Sequence, residues 1–308
     1  MRKWLRRIGI AILALVVALT LASVGYNAAT TGDSKPARAL YPGPYVEVDG
    51  TSVAYRRWGR SGTPVVLVAG FVESSWVWHE LAPLLAARHR VYALDLPPFG
   101  YSQRRGPYSL AHWLDLVRGF ETRLGIAQPL VVGHSLGAAV AVGLALRDPH
   151  AQRGIVLLDG DALSEGGGPS WLTHLLVPPW YTSVYRIVTT SDWIFRRGLK
   201  DAYGKHAPRL DAATLDEWER PFRVAGTAAA FAQMLRYGIQ GYRLDDLRRV
   251  RGRRLVVWGA DDTVDDVAAG RRSARVLRAR FVLVPHAGHL SMLANPDAVA
   301  RAIEGFGR

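Results

Sequence analysis

A serine framed by two glycines, Gly133-His134-Ser135-Leu136-Gly137, stands between an apolar run from Pro129 to Val132 and a second from Ala138 to Leu146. The first run has the length of a buried strand and the second that of a helix. A strand that passes directly into a helix turns sharply. The residue at the apex takes a strained backbone conformation that holds its side chain clear of the sheet. Glycine at 133 and 137 lets strand and helix approach without colliding side chains. Ser135 is therefore a candidate nucleophile at the C-terminal end of a strand. An ordinary strand-to-helix turn would carry the same five residues, so the reading depends on a base, an acid and an oxyanion hole elsewhere in the chain.

The flanking sequence supplies an α/β frame. Val46 to Tyr55 is two alternating strands around Asp49-Gly50, a strong hairpin signal. Val65 to Val68 predicts a strand, and a helix is expected from about Ser75 to Arg88, with Trp78, Leu81, Leu84 and Leu85 on one face. A strand from Val91 to Leu96 comes next, then a helix that Ser109 can cap and that runs to about Leu124. After the junction at Ser135 come a strand from Gly154 to Leu158 and then Asp159. Between about Asp161 and Val250 the alternation stops. This stretch opens with Gly166-Gly167-Gly168-Pro169 and is rich in aromatic residues, among them Trp171, Trp180, Tyr185, Phe195, Trp218, Phe222 and Phe231. Helical patterns at Ala212 to Arg223 and Thr227 to Gly238 predict a helical lid inserted between two strands. The sheet resumes with Leu255 to Gly259, a helix from about Val264 to Arg278, a strand from Arg280 to Val284 and a last helix from about Asn295 to Gly305. The expected architecture is a mostly parallel, doubly wound sheet with reactive groups at the C-terminal strand ends.

Two loops at such strand ends carry the remaining chemistry. Gly259-Ala260-Asp261-Asp262 succeeds one strand, and Pro285-His286-Ala287-Gly288-His289 succeeds the last. Serine, acid and histidine thus occur in the order Ser…Asp…His. With Ala69-Gly70-Phe71 and Leu94-Asp95-Leu96-Pro97-Pro98-Phe99-Gly100-Tyr101-Ser102, these residues make the chain from about 41 to 308 resemble the α/β-hydrolase fold superfamily. The likeness is to its lid-bearing members: esterases, lipases, carbon–carbon bond hydrolases and epoxide hydrolases. The resemblance implies Ser135 as nucleophile, His289 as general base and Asp262, last in Gly-x-x-Asp, as the acid that fixes the imidazole. Asp261 is a neighbouring alternative acid, and Asp159 or Asp161 could serve in a variant arrangement. His134 and His286 are expected to be elbow-packing and loop residues. The backbone N–H groups of Leu136 and Phe71 are the expected oxyanion hole. The chain departs from the family in having Ala69-Gly70 where His-Gly is usual, and Pro97-Pro98 where Pro-Gly is usual.

The N-terminus carries Arg2, Lys3, Arg6 and Arg7 ahead of an apolar run from Ile8 to Val24. Basic residues before an apolar run keep the N-terminus in the cytoplasm and send the chain beyond the run outward. The run lies between a signal peptide's apolar region and a full span, and an uncleaved anchor is the preferred expectation over a cleaved signal. The expected organisation is an anchor over 1–25, a linker over 26–40 and a hydrolase domain over 41–308, with the lid over about 161–250. Cysteine is absent, which removes disulfides, thiolate metal sites and a cysteine nucleophile. The net charge of +13 is almost all arginine and scattered, and no zinc-finger, RNA-recognition or helix-turn-helix pattern accompanies it. No nucleic-acid partner is expected.

Serine at the apex points to an acyl-enzyme route without cofactor or metal. The aspartate-dependent dehalogenases and epoxide hydrolases are thereby set aside. The expected activity is hydrolysis of carboxylic esters with apolar parts, lipid-derived ones among them. A carbon–carbon bond hydrolase, a peptidase, or a non-catalytic ligand-binding protein on the same fold are the alternatives.

Overall fold

Strands that read as continuous apolar runs bury both of their faces. That is the state of the central strands in the computed structural model, which describes residues 2–31, 34–163, 177–238 and 240–307. The strands are β1 (Tyr45–Val48), β2 (Thr51–Trp58), β3 (Thr63–Val68), β4 (His89–Leu94), β5 (Leu130–His134), β6 (Gly154–Leu158), β7 (Arg254–Gly259) and β8 (Arg280–Val284). They form one sheet in the order β1-β2-β4-β3-β5-β6-β7-β8. The β1–β2 and β2–β4 pairs are antiparallel and every later pair is parallel. The chain leaves β3 toward β4 on one side and returns as β5 on the other. The crevice of this fold class therefore lies beyond the C-terminal ends of β3 and β5. Their register, Val65 opposite Leu130 through Val68 opposite Gly133, brings those ends level.

Alternation along each strand divides the core. In β3, Val66 and Val68 join one cluster with Trp113, Phe120 and Leu144, while Val65 and Leu67 join another with Trp78, Leu85 and Ile303. Two layers of helix cover these faces. One holds α4 (Leu110–Arg123) and α5 (Leu136–Arg147), and the other α3 (Leu81–Ala86) and a C-terminal helix over Pro296–Gly307. Ser109 caps α4 as expected, its side chain accepting from the N–H of His112.

Two expected elements differ. The helix predicted from Ser75 to Arg88 is a 3₁₀ turn over Ser75–Trp78 and then the short α3. Pro83 has no N–H to give to the carbonyl of His79 and is tolerated only in a first turn, so the helix begins afresh at Leu81. At the N-terminus, α1 (Arg2–Ala29) runs four residues past the expected end at Gly25, and α2 (Ala37–Leu40) gives the expected linker a helical turn. Lys35 bridges to Arg223 and Ala225 through backbone hydrogen bonds of 2.8 and 2.9 Å, so this segment is tied to the rest of the chain.

Between β6 and β7 lies a helical insertion comprising α6 (Trp180–Thr189), α7 (Asp192–Tyr203), α8 (Ala212–Glu219), α9 (Thr227–Tyr237) and α10 (Leu244–Leu247). The helix expected to reach Arg223 ends at Glu219 and continues as a 3₁₀ turn containing Pro221. Gly166 to Pro169 and Trp171 lie outside the described residues. After β7 come α11 (Val267–Leu277), β8, α12 (Ser291–Ala294) and α13 (Pro296–Gly307).

Where β5 crosses α5, a side chain at Gly133 would strike the carbonyl of Gly137, and one at Gly137 would strike the carbonyl of Val68. Gly137→Ala should therefore cost about 1–3 kcal/mol of stability, the usual penalty of overpacking. Urea unfolding of the variant measures this, and an unchanged midpoint would show that the crossing can relax.

Candidate active site

Ser135 takes φ 49° and ψ −118°, a left-handed position at the apex between β5 and α5. Its N–H donates to the carbonyl of Leu158 at the end of β6 (3.0 Å), which pins the turn to the neighbouring strand. The next residue, Leu136, opens α5, where the helix's N–H groups and positive dipole end gather. Phe71 lies just past β3. Among the described residues, the N–H groups of Phe71 and Leu136 donate to no protein acceptor.

The loops after β7 and β8 bring Asp262 and His289 together. His289 Nδ1 lies 2.9 Å from Asp262 Oδ2. The other oxygen, Asp262 Oδ1, accepts from the N–H groups of Val264 (2.9 Å) and Asp265 (3.0 Å). One carboxylate thus builds its own turn and orients the ring, and that turn delays the start of α11 to Val267. Of the other acids considered, Asp261 faces Lys205 Nζ at 3.5 Å. Asp161 accepts from the N–H of Leu163 (2.9 Å). Asp159 is wholly buried and accepts from Gly259 N–H (2.7 Å) and from the N–H (3.2 Å) and hydroxyl (2.5 Å) of Ser291. Burial raises the Asp159 carboxyl to about 6, against the opposing pull of His134, His289 and the Ser291 bond. His286 stands beside exposed His206, their ring nitrogens 3.2 Å apart.

Ser135 and His289 line one cavity of about 570 Å³, although no hydrogen bond joins their side chains among the described residues. Phe71 and Val72 contribute from the loop after β3. The helical insertion contributes Tyr185, Phe195, Trp218, Phe222 and Phe231. A pocket so lined takes an apolar ligand and leaves few polar groups to orient it. Among the described residues, no cluster of three or more His, Asp or Glu could hold a metal ion.

The structure adds one group that the sequence did not reveal. Glu73, 6% exposed, accepts from Gly70 N–H at 2.6 Å and lies 2.9 Å from His134 Nδ1. His134 Nε2 lies 2.7 Å from the carbonyl of His289. A carbonyl only accepts, so the ring nitrogen facing it carries a proton, and a carboxylate at Nδ1 favours a proton there too. Burial opposes the charged form of His134, but Glu73, the bond to it, Asp159 and the His289 carbonyl outweigh burial and hold the imidazole up at about 9. The pair links the loop after β3 to the loop that carries His289. It closes against Gly70, the residue after Ala69. Asp95 ties the same loop from another side, accepting from Ser75 N–H (2.5 Å) and Tyr101 N–H (2.7 Å).

Comparison with known proteins came to the same frame. The profile of the alpha/beta hydrolase family matches residues 65–302. The uncharacterized hydrolase YugF of Bacillus subtilis is 25% identical over 263 residues, 84% of this chain and 95% of its own. A hydrolase of 2-hydroxy-6-oxo-6-(2'-aminophenyl)hexa-2,4-dienoic acid from Metapseudomonas resinovorans is 24% identical over 294 residues, 89% of this chain and 93% of its own. Among solved structures, a membrane phospholipase A described as a bacterial virulence factor superposes with a TM-score of 0.70 at 24% identity, covering 99% of this chain and 98% of that one.

Removing one partner of a buried ion pair strands the other, so Glu73→Gln should lower stability by about 3–5 kcal/mol. His134 has a folded-state value above its ordinary one. Its contribution is therefore complete below about pH 6.5 and disappears as pH rises through about 9. Thermal midpoints measured from pH 6 to 10 should fall across that window in the natural protein and stay flatter in Glu73→Gln. Parallel curves would show that His134 is not charged.

Proposed function

Because the chain belongs to the alpha/beta hydrolase family, with residues 65–302 matching its profile, we propose that it is a membrane-anchored serine esterase. Its substrates on this reading are carboxylic esters with apolar, lipid-derived parts. The observation that carries the reading is the left-handed Ser135 sharing an apolar cavity with His289, whose Nδ1 is held by Asp262.

In this mechanism His289 Nε2 takes the proton of Ser135 Oγ as the oxygen attacks the ester carbonyl. The Asp262 bond fixes the tautomer that leaves Nε2 free to accept, and it stabilises the imidazolium that forms. Negative charge develops on the former carbonyl oxygen. The N–H groups of Leu136 and Phe71, which have no other acceptor among the described residues, receive it. Collapse of the adduct breaks the carbonyl–alkoxy bond, and His289 returns the proton to the departing alcohol. Water then attacks the acyl-serine by the same steps in reverse. No cofactor enters. Ala69 in place of histidine is compatible with this scheme because Glu73 and His134 brace the loop instead.

A carbon–carbon bond hydrolase is the second reading, favoured by the Metapseudomonas relative. That relative acts on a dienoic acid, whose carboxylate calls for a cation to receive it. Among the described residues that line the cavity here, none is arginine or lysine. An uncharged ester suits such a lining better.

α1 is long and apolar enough to cross a membrane, with a mean hydropathy of 2.6 over its most apolar 18 residues. Its basic residues precede the apolar run, which supports a hydrolase domain on the exported side. The membrane phospholipase A that shares this fold over nearly the whole chain is consistent with an anchor that is retained.

p-Nitrophenyl esters of graded acyl length, given to the full chain in detergent, test the proposal. We expect turnover that favours medium or long chains, a loss of about 10⁴-fold or more in Ser135→Ala, and a loss approaching that in Asp262→Asn. No turnover at any length, or an active Ser135→Ala, would overturn the reading.

A further inference from the structure

The helical insertion presents an apolar face that no part of the described chain covers. Outside α1, ten large apolar side chains are exposed among the described residues, and six of them lie between Val177 and Trp193: Val177, Trp180, Val184, Ile187, Val188 and Trp193. On α6 the pattern is one-sided. Val184, Ile187 and Val188 are exposed at helical spacing, while Ser183, Tyr185 and Thr189 turn inward. Val184 and Val188 also line the cavity shared by Ser135 and His289. The apolar face and the rim of the cavity are therefore one surface.

The same helix is fastened to α1 by a row of polar contacts. Trp180 Nε1 donates to Thr20 Oγ1 (3.2 Å), and Ser183 Oγ donates to the carbonyl of Ser23 (3.3 Å). Asn27 Nδ2 donates to the carbonyl of Pro179 (2.9 Å), and Arg186 Nη1 donates to the carbonyl of Asn27 and to Thr30 Oγ1 (2.5 Å each). Thr20, Ser23 and Asn27 recur along one stripe of α1 and Thr30 follows just past its end, so α6 is held at a defined height beside it. The apolar run of α1 ends at Val24. Thr20 lies four residues inside that end, which is about 6 Å of helical rise. Lipid that covers α1 through Val24 therefore reaches the level of Trp180 and of the apolar side chains next to it. Trp180 and Trp193 carry the amphipathic ring that settles at the headgroup boundary. An apolar patch of this kind on the rim of a cavity marks an interaction surface.

We infer that this face, Trp180 through Trp193, docks into the interface of the bilayer that α1 spans, so that the cavity opens toward lipid and receives its ligand from there. The inference rests on α1 being retained as a span, as proposed above. Lipid is the occupant because the start of α6, at Trp180 and Ser183, is fastened within the apolar length of α1, at a height that water would occupy only if α1 did not cross a membrane.

The absence of cysteine makes the test direct. Single variants Ile187→Cys, Trp193→Cys, Leu13→Cys on α1, and Arg60→Cys at the opposite end of the sheet are labelled with an environment-sensitive fluorophore. The full chains are then reconstituted into phosphatidylcholine vesicles carrying nitroxide lipids, with no substrate present. We expect labels at 187 and 193 to be quenched by a nitroxide near the headgroup, the label at 13 by one deep in the acyl chains, and the label at 60 by neither. Labels at 187 and 193 that behave like the one at 60, while 13 is quenched, would overturn the docking and leave the anchor standing. An unquenched label at 13 would overturn the anchor and the docking with it. Blue-shifted but unquenched labels at 187 and 193 would mean that a second copy covers the face, which also contradicts the inference. None of these outcomes depends on the chain being an esterase.

Discussion

The close crossing of β5 over the start of α5 is the constraint on which the rest of the site depends. Neither Gly133 nor Gly137 could carry a side chain there, and Ser135 between them is forced to a positive φ of 49°. Consecutive residues at such a turn point to opposite sides. Ser135 faces the cavity, while His134 faces inward, fully buried, against Glu73 and the carbonyl of His289. One turn therefore sets both the candidate reactive atom and the brace behind it. Leu136 opens α5 immediately afterward, so the same turn also leaves an N–H group at a helix N-terminus, where negative charge is favoured.

Three carboxylates surround this turn, and each has its own work. Asp262 holds the ring of His289, Glu73 holds His134 and the Gly70 N–H, and Asp159 joins the end of β7 to Ser291 at the start of α12. Charges buried this deeply are tolerated only where hydrogen bonds and partners replace water. Here the cationic His134 is the shared partner, 2.9 Å from Glu73 and 4.0 Å from Asp159. The brace is thus electrostatic as well as steric. Its loss would reach both loops that flank the serine.

Much of this was legible in the sequence because the signals were local. The glycines at 133 and 137 announce a close crossing, the apolar runs announce buried parallel strands, and Asp262 and His289 each sit past a strand in a recognisable loop. The stretch from Ser75 to Arg88 reads as one helix because its apolar spacing is helical and only Pro83 marks the break. Gly25 reads as the end of α1, yet glycine in a helix costs only about 1 kcal/mol, and the contacts of Asn27 and Thr30 with α6 extend it. The pair of Glu73 and His134 was invisible for a different reason. Its members are 61 residues apart and meet only because β3 and β5 are neighbours, a fact of topology that no local pattern carries. The one available hint was the missing histidine at Ala69, which left Gly70 in need of another support.

The central claim is that Ser135 is an activated nucleophile backed by His289. A fluorophosphonate reacts with such a serine and forms a stable covalent adduct, so intact-mass and peptide analysis of the treated full chain reads the claim directly. The account predicts one adduct per chain, mapped to Ser135 and lost in both Ser135→Ala and His289→Ala. A chain that remains unmodified, or that is modified with equal ease in His289→Ala, would contradict it.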